Sequence, residues 1–363
     1  MKVSESWLRE WIKTDAATEV IEHELIMSGT ELDGVFPVAS NFTQVVIGQI
    51  KEISQHPDAD RLTVCQVDVG ETALIQIVTN AKVEAEQKVP VARVGASLPN
   101  EDGSTFDIKE SKLRGVLSQG MFCGGDTLGM GDRGEGLLPI PDDASVGKNL
   151  RDVIDLDDVV LELDATPNRA DLLSVAGVSR ELGVILAADV TPIEMPAASV
   201  TIDDQLPVSI HCEDLCHRYV GRVIKSVDTT VRTPDWLAEK LFRSGIRSLS
   251  PVVDITNYVM LELGQPMHGF DLDTISKEII VRNATKDEKI LLLDGKTNTL
   301  REDTMVIADA DKALAIAGIM GGLDSSVTDQ TKNIYLESAF FVPNKIMGKA
   351  RTYGMHTLSL IHI

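Results

Sequence analysis

Along the first 27 residues, apolar side chains recur every three or four positions. Val3, Trp7, Leu8, Trp11 and Ile12 predict one short helix, and Val20, Ile21, Leu25 and Ile26 predict a second, with Gly29 as its C-terminal cap. The period changes at Val45. "VVIGQIKEI" and "RLTVCQVDV" alternate apolar and polar residues, with "QHPDAD" as the loop between them. "ALIQIVT", "KVPVARVG", "TFDIKESKLRG" and "QGMFCG" continue in strand-like runs punctuated by Gly, Pro, Asn and Asp. Five or six short strands in roughly eighty residues, with no long helix among them, predict a small closed barrel.

"LGMGDRGEGLLPIPDDASVG", residues 128–147, follows neither period and reads as a loop. Its glycines lack the strand-then-helix setting of a phosphate-binding loop. "DVVLELDATPNRADLLSVAGVSRELGVIL" predicts a strand, a turn and a helix. That helix is expected to begin at Pro167 and Asn168 and to bury Leu172, Leu173, Ala176, Leu182 and Ile185. "TPIEMPAASVTIDDQLP" reads as a connection. Beyond residue 208, "VSIHCEDLCHRYVGRVI" and "KEIIVRNATKDEKILLLDG" are strand-rich. "DWLAEKLFRSG" is an amphipathic helix ending at Gly245, and "DTMVIADADKALAIAGIMGG" reads as a hairpin running into a glycine turn. The fold class is multidomain α+β: an N-terminal helical piece, a β-barrel, and a mixed α+β domain.

Composition narrows the setting. The chain has 363 residues, 43% hydrophobic and 25% charged, enough for two or three domains. No apolar run reaches the length of a membrane span, and Glu5, Arg9 and Glu10 break up any signal-peptide pattern. Cys65, Cys123, Cys212 and Cys216 are too few for a disulfide framework, so a reducing, cytoplasmic location is expected. The net charge of −22 argues against a generic nucleic-acid binder. The charge is uneven, however. Residues 126–214 hold 19 acidic and 5 basic residues, whereas residues 218–250 hold 7 basic (Arg218, Arg222, Lys225, Arg232, Lys240, Arg243, Arg247) and 3 acidic. That basic stretch is either a solvated surface or a functional face. "HCEDLCH", residues 211–217, could offer Cys and His to Zn²⁺. The spacing is atypical and no second pair follows, so buried cysteines in a strand and turn are the plainer reading, and no metal is expected.

Several stretches together resemble the β subunit of bacterial phenylalanyl-tRNA synthetase. "HPDADRLTVCQVDVG" and "KLRGVLSQGMFC" resemble its tRNA-binding barrel, and "TPNRADLLSVAGVSREL" resembles the segment after it. "GIRSLSPVVDITNYVMLELGQPMHGFD", "ALAIAGIMGG" and "LESAFFVPNKI" resemble its editing domain. The matches run in order over nearly the whole chain. They imply a helical segment at 1–38 that packs with 150–200, an OB-fold tRNA-binding domain at 39–148, an α/β connecting segment at 149–205, and an editing domain at 206–357. The family enzyme is a tetramer of two α and two β subunits. The α subunit joins phenylalanine to tRNA(Phe) using ATP and Mg²⁺, and the β subunit binds tRNA and removes tyrosine attached in error. By this resemblance the chain is an N-terminal fragment with its editing domain cut short, no cofactor of its own and no membrane partner. The family continues after "YGMHT" with a polar segment. "LSLIHI" instead matches an in-frame translation of a transposase end sequence used in DNA library preparation, so residues 358–363 are expected to be non-native. Resequencing that found these codons in the native gene would refute this.

Discrimination between tyrosine and phenylalanine rests on one hydroxyl. A site that hydrogen-bonds that hydroxyl rejects the analogue lacking it. The motif assigns this task to Glu337, as acceptor at the end of an aromatic slot. The alternative for Glu337 is an ordinary strand residue facing water. His268 follows Gly264 and Pro266 at the end of a predicted helix, on a loop expected to aim into a cleft. It would hydrogen-bond substrate or water. Thr256 and Asn257 would orient a water or the ester carbonyl, Gly321 would let backbone approach the ligand, and Thr357 matches a further pocket position. For each, turn or core chemistry is the competing reading. No nucleophile–base–acid arrangement is visible, so a positioned water is expected to attack the ester, with help from the tRNA ribose hydroxyl. On the barrel, Lys109, Lys112 and Arg114 would meet tRNA phosphates, with packing of the barrel against another subunit as the competing reading. Residues 39–125 carry 8 basic and 11 acidic residues, so that affinity would be modest and salt-sensitive. Two rival readings remain: an RNA-binding or assembly module without catalysis, and a free-standing deacylase acting in trans.

Overall fold

The computed structural model describes residues 1–134 and 136–355, which divide into two compact units. One unit is residues 35–160. The other joins residues 1–34 to the chain from Leu161 onward.

The first unit is built on five antiparallel strands in the order Gly120–Phe122, Lys88–Arg93, Val45–Gln55, Thr63–Asp68, Ile75–Thr79. The long strand Val45–Gln55 pairs along its first half with Lys88–Arg93. It then bends at a bulge between Ile50 and Glu52 and pairs along its second half with Thr63–Asp68. At the far edge, Gln119 N–H donates to the Gln76 carbonyl (2.7 Å) and Val78 N–H donates to the Ser118 hydroxyl (3.1 Å). The sheet is thereby nearly closed into a barrel. Ile50, Cys65, Val67, Ile77, Val89 and Val91 form one core. Residues 128–147 are irregular, as their composition predicts, yet Leu138, Ile140 and Ala144 pack with Val45, Ile47 and Leu98 in a second core. An arm made of Ser111–Leu113 and Val116–Ser118 turns through Arg114 and Gly115, both at positive φ.

In the second unit the two N-terminal helices are Glu5–Trp11 and Thr18–Met27. Ser4 caps the first through the Trp7 N–H (3.3 Å). The second ends with Gly29 N–H on the Ile26 carbonyl and Thr30 N–H on the Leu25 carbonyl, both at 3.0 Å. Both helices pack on the helix Val175–Ile185. That helix does not begin at Pro167 and Asn168. Residues 166–169 form a turn, Ala170–Leu173 is a 3₁₀ turn, and Ser174 is extended, accepting the Gly177 N–H (3.1 Å) as the true cap. The turn at 166–169 and the extended backbone of Ser174 interrupt the helical path, and Ser174 then satisfies one of the open N–H groups of the helix start. Residues 191–207 are mostly exposed and without regular structure.

The rest of the unit holds two larger sheets and a short hairpin, Lys289–Leu291 with Thr297–Thr299, around one core. The first has the order Val208–Ile210, Ile279–Asn283, Met305–Ala308, Ala313–Ile316, Met320–Gly321. In the second, Asn333–Phe341 lies between Cys216–Lys225 and His268–Asp271. Phe270, Val281, Leu292, Val306, Leu314 and Tyr335 are among the side chains packed together here. The whole is mixed α+β, as the pattern of elements predicts.

The helix Pro251–Leu263 leads into this second sheet. Proline at its start and Gly264 at its end fix its limits. Its register is pinned by Asp254, which is fully buried. The Asp254 carboxylate accepts from Leu249 N–H (2.9 Å), Ser248 Oγ (2.5 Å) and Thr233 Oγ1 (2.5 Å). Hydrogen bonds to a charged group contribute about 1.5–3 kcal/mol each, and removing the acceptor strands three donors. Asp254→Ala is therefore expected to destabilise this unit by about 3 kcal/mol or more. A urea melt followed by tryptophan fluorescence checks this, since Trp7 and Trp236 lie in the same unit.

Candidate functional site

A cavity of about 690 Å³ opens in the second unit. Along the helix Pro251–Leu263, the residues Val253, Thr256, Asn257 and Met260 have the i, i+3, i+4, i+7 spacing of one helix face, and all four line the cavity. Residues 264–269 form an adjoining wall, Ala315, Ile316, Met320 and Gly321 another, and Glu337, Ala339 and Phe341 complete it. The lining is mainly apolar, so its few polar groups act in a medium that strengthens their interactions.

Strand register brings the principal pair together. His268 and Gly221 are both direct partners of Glu337, one on each side of the central strand, so the three positions share one face of the sheet. His268 is not on a loop. It opens the strand His268–Asp271, because its backbone continues the ladder begun by Glu337. Its ring stands edge-on to Phe270 (4.5 Å between centroids, 76°). Gly321 faces it from the other sheet. A Cβ there would lie 2.6 Å from His268 Cε1 and 2.7 Å from Nε2, so no other residue fits without displacing the ring. Gly321 is thus required chiefly by the histidine.

His268 Nε2 is enclosed and has no hydrogen-bond partner among the described residues. Burial lowers its pKa to about 4, so the ring is neutral at physiological pH. Glu337 is 6% exposed, which excludes the water-facing reading. Burial raises its carboxyl to about 8, opposed only in part by a hydrogen bond from the Tyr219 hydroxyl to Oε2 (3.2 Å). At neutral pH the group is mostly a carboxylic acid, able to donate as well as accept, rather than the carboxylate acceptor the motif suggests. Tyr335, two residues before Glu337 and on the same face, is pushed up to about 12 by burial and by the neighbouring Glu337. Thr256 donates its hydroxyl proton back to the Val253 carbonyl (2.8 Å), leaving its oxygen as an acceptor.

Five of the six pocket residues suggested by sequence (Thr256, Asn257, His268, Gly321, Glu337) line this one cavity. Thr357 lies outside the described residues. Sequence reasoning missed Tyr219, Gly221 and Tyr335. Alternation in "CHRYVGRVI" and "IYLESAF" places each pair on one strand face, but only the pairing register shows that these faces coincide.

Lys109, Lys112 and Arg114 belong to the other unit, exposed on and beside its protruding arm. Much of the basic stretch is neutralised within the molecule: Lys225, Arg232, Lys240 and Arg243 pair with Asp204, Asp235, Glu10 and Glu239. Lys240 also sits over the ring of Trp7 (4.9 Å). Cys212 and Cys216 are buried free thiols. Among the described residues no three His, Cys, Asp or Glu side chains gather to hold a metal ion. No described helix is long and apolar enough to cross a membrane.

Two families match the chain. The one described as "Putative tRNA binding domain" matches residues 45–149, and the "B3/4 domain" matches residues 215–362. The near-closed barrel and the cavity-bearing unit therefore define a protein that joins a putative tRNA-binding domain to a B3/4 domain. Over 98% of its length the chain is 49% identical to the phenylalanine–tRNA ligase beta subunit of Pseudoalteromonas translucida and 50% identical to that of Idiomarina loihiensis. The chain belongs to the phenylalanine–tRNA ligase beta subunit family. It spans 44% of the length of both relatives. An N-terminal fragment of the phenylalanyl-tRNA synthetase β-subunit from Pyrococcus horikoshii aligns over 95% of this chain and 69% of that one, at 15% identity and a TM-score of 0.34.

The two shifted groups give stability a defined pH dependence. Unfolded, Glu337 would lose its proton near 4.5 and His268 near 6.5; folded, the values are about 8 and about 4. Between pH 4.5 and 6.5 the two effects oppose. From 6.5 to 8 only Glu337 binds more protons folded than unfolded, so its contribution falls as pH rises, by about 2 kcal/mol over that window. Urea titrations at intervals across pH 6.5–8 are expected to show this decline in the wild-type protein relative to Glu337→Gln. Parallel curves would contradict the burial of an uncharged Glu337.

Proposed function

We propose that the cavity hydrolyses the ester of tyrosine joined in error to tRNA(Phe), and that the barrel, an OB-fold, helps to hold the tRNA. The observation that carries this reading is the pairing of a buried, mostly protonated Glu337 with a neutral His268 in one apolar cavity. An aromatic side chain fits such walls. A phenolic hydroxyl reaching Glu337 gains a hydrogen bond that phenylalanine cannot make, and filling the cavity with phenylalanine would leave a buried polar group unmatched. His268 has too low a pKa to be a strong base. Its role is to orient substrate or the attacking water through Nε2, with Thr256 and Asn257 placing the ester. In the family's terms, synthesis belongs to an α subunit that uses ATP and Mg²⁺ outside the residues present here, within a cytoplasmic α₂β₂ tetramer.

His268→Ala and Glu337→Ala are each expected to lower kcat/KM for deacylation of Tyr-tRNA(Phe) by about tenfold or more in the intact protein. Undiminished hydrolysis in both variants would remove the editing assignment.

The barrel arm yields a separate test. Replacing Lys109, Lys112 and Arg114 together with alanine is expected to weaken tRNA binding without sequence preference. It should also reduce the slope of log K against log salt by up to about 3, roughly one for each phosphate no longer neutralised. Filter binding at several salt concentrations measures this, and an unchanged slope would place the tRNA contacts elsewhere.

A further inference from the structure

We propose that Tyr219 is a specificity-determining positioning residue: its hydroxyl holds the Glu337 carboxyl by one oxygen so that the other is presented to the cavity to read the substrate hydroxyl. The inference rests on the editing reading and deepens it.

Tyr219 is not part of the cavity wall. It reaches Glu337 from the neighbouring strand, where its direct partner is Ala339, one same-face position along from Glu337. The bond from its hydroxyl to Oε2 is the carboxyl's only hydrogen bond within the described residues. Tyr335 is also close enough to feel the Glu337 carboxyl. A Cβ on Gly221, the direct partner of Glu337, would lie 1.8 Å from the Tyr335 hydroxyl oxygen. The gap left by that glycine is therefore filled by a phenol. Tyr335 is 1% exposed and its hydroxyl has no described hydrogen-bond partner. Two phenols from two strands thus stand near one carboxyl. Burial and the adjacent Glu337 hold the Tyr219 hydroxyl well above its usual range, so it remains a donor. With Oε2 accepting from Tyr219, the proton of a neutral Glu337 resides on Oε1. The cavity then presents an O–H to the phenol oxygen of a substrate. An unanchored carboxyl could rotate and exchange the two roles, blurring the distinction between tyrosine and phenylalanine.

The test uses Tyr219→Phe in the intact protein, with hydrolysis of Tyr-tRNA(Phe) and Phe-tRNA(Phe) measured in parallel. The ratio of the two kcat/KM values is expected to fall about tenfold. In a Glu337→Gln background the same change should move the ratio less than about twofold, because the tyrosine acts through the carboxyl. An unchanged ratio overturns the proposal, as does an equal fall in both backgrounds, which a merely structural role would give. If the wild-type protein hydrolyses neither ester, the editing reading fails and this inference with it. Wild-type activity with an unaltered ratio sinks this inference alone. Should Tyr219→Phe not fold in a thermal melt, 3-fluorotyrosine at position 219 keeps the shape and changes the donor strength. A ratio unmoved by that replacement equally overturns the proposal.

Discussion

The candidate site depends on one strand register. Asn333–Phe341 pairs on both sides so that Gly221, Glu337 and His268 form a single cross-strand row. A slip of one residue would turn Glu337 out of the cavity and bring Leu336 or Ser338 into its place. The register is held by long pairing with Cys216–Lys225 and by the buried side chains of Phe270 and Tyr335, which lie on the same face as the row. The packing core and the polar site are thus one structure, with the core fixing where the polar groups can be.

Burial then sets the chemistry. The carboxyl and the imidazole are both moved towards their neutral forms, one upward and the other downward. Two charged groups of opposite sign at these positions would attract, but the desolvation cost of each in an apolar cavity outweighs that gain. The result is a pair of uncharged hydrogen-bonding groups. Such a pair suits the recognition of an uncharged phenol and the orientation of a water, and is poorly suited to strong acid–base catalysis.

The sequence revealed the elements and most of the pocket, and missed the interactions that tie the pocket together. Strand alternation and a helix ending at Gly264 follow from local pattern. The helix start at Ser174 did not, because "TPNR" carries strong turn chemistry and the cap lies just beyond it. Resemblance supplied His268 and Glu337, but not their protonation, which depends on burial created where separate strands and a helix come together in the fold. Tyr219 was invisible for the same reason: a tyrosine in an alternating strand is ordinary until its partner strand is known. The basic stretch from 218 to 250 is the converse case. Its composition suggested a charged face, whereas much of it is used internally, Lys240 being held by Glu10 and by the face of Trp7.

Two of the buried polar atoms left without a hydrogen-bond partner among the described residues belong to side chains on the face of the sheet that carries Glu337. His268 Nε2 and the Tyr335 hydroxyl are both buried, with no partner among the described residues. Each such group costs roughly 1–3 kcal/mol of folding stability. A fold tolerates this only if neighbouring packing offsets it. Here the offset comes from the large core shared by the two sheets, and Gly221 and Gly321 remove the side chains that would otherwise crowd the two rings. Replacing such unpaired polar groups with apolar ones of similar shape would remove that cost. The cost in stability and the fixed placement of these groups therefore have a common source: a sheet too well packed to let them turn away.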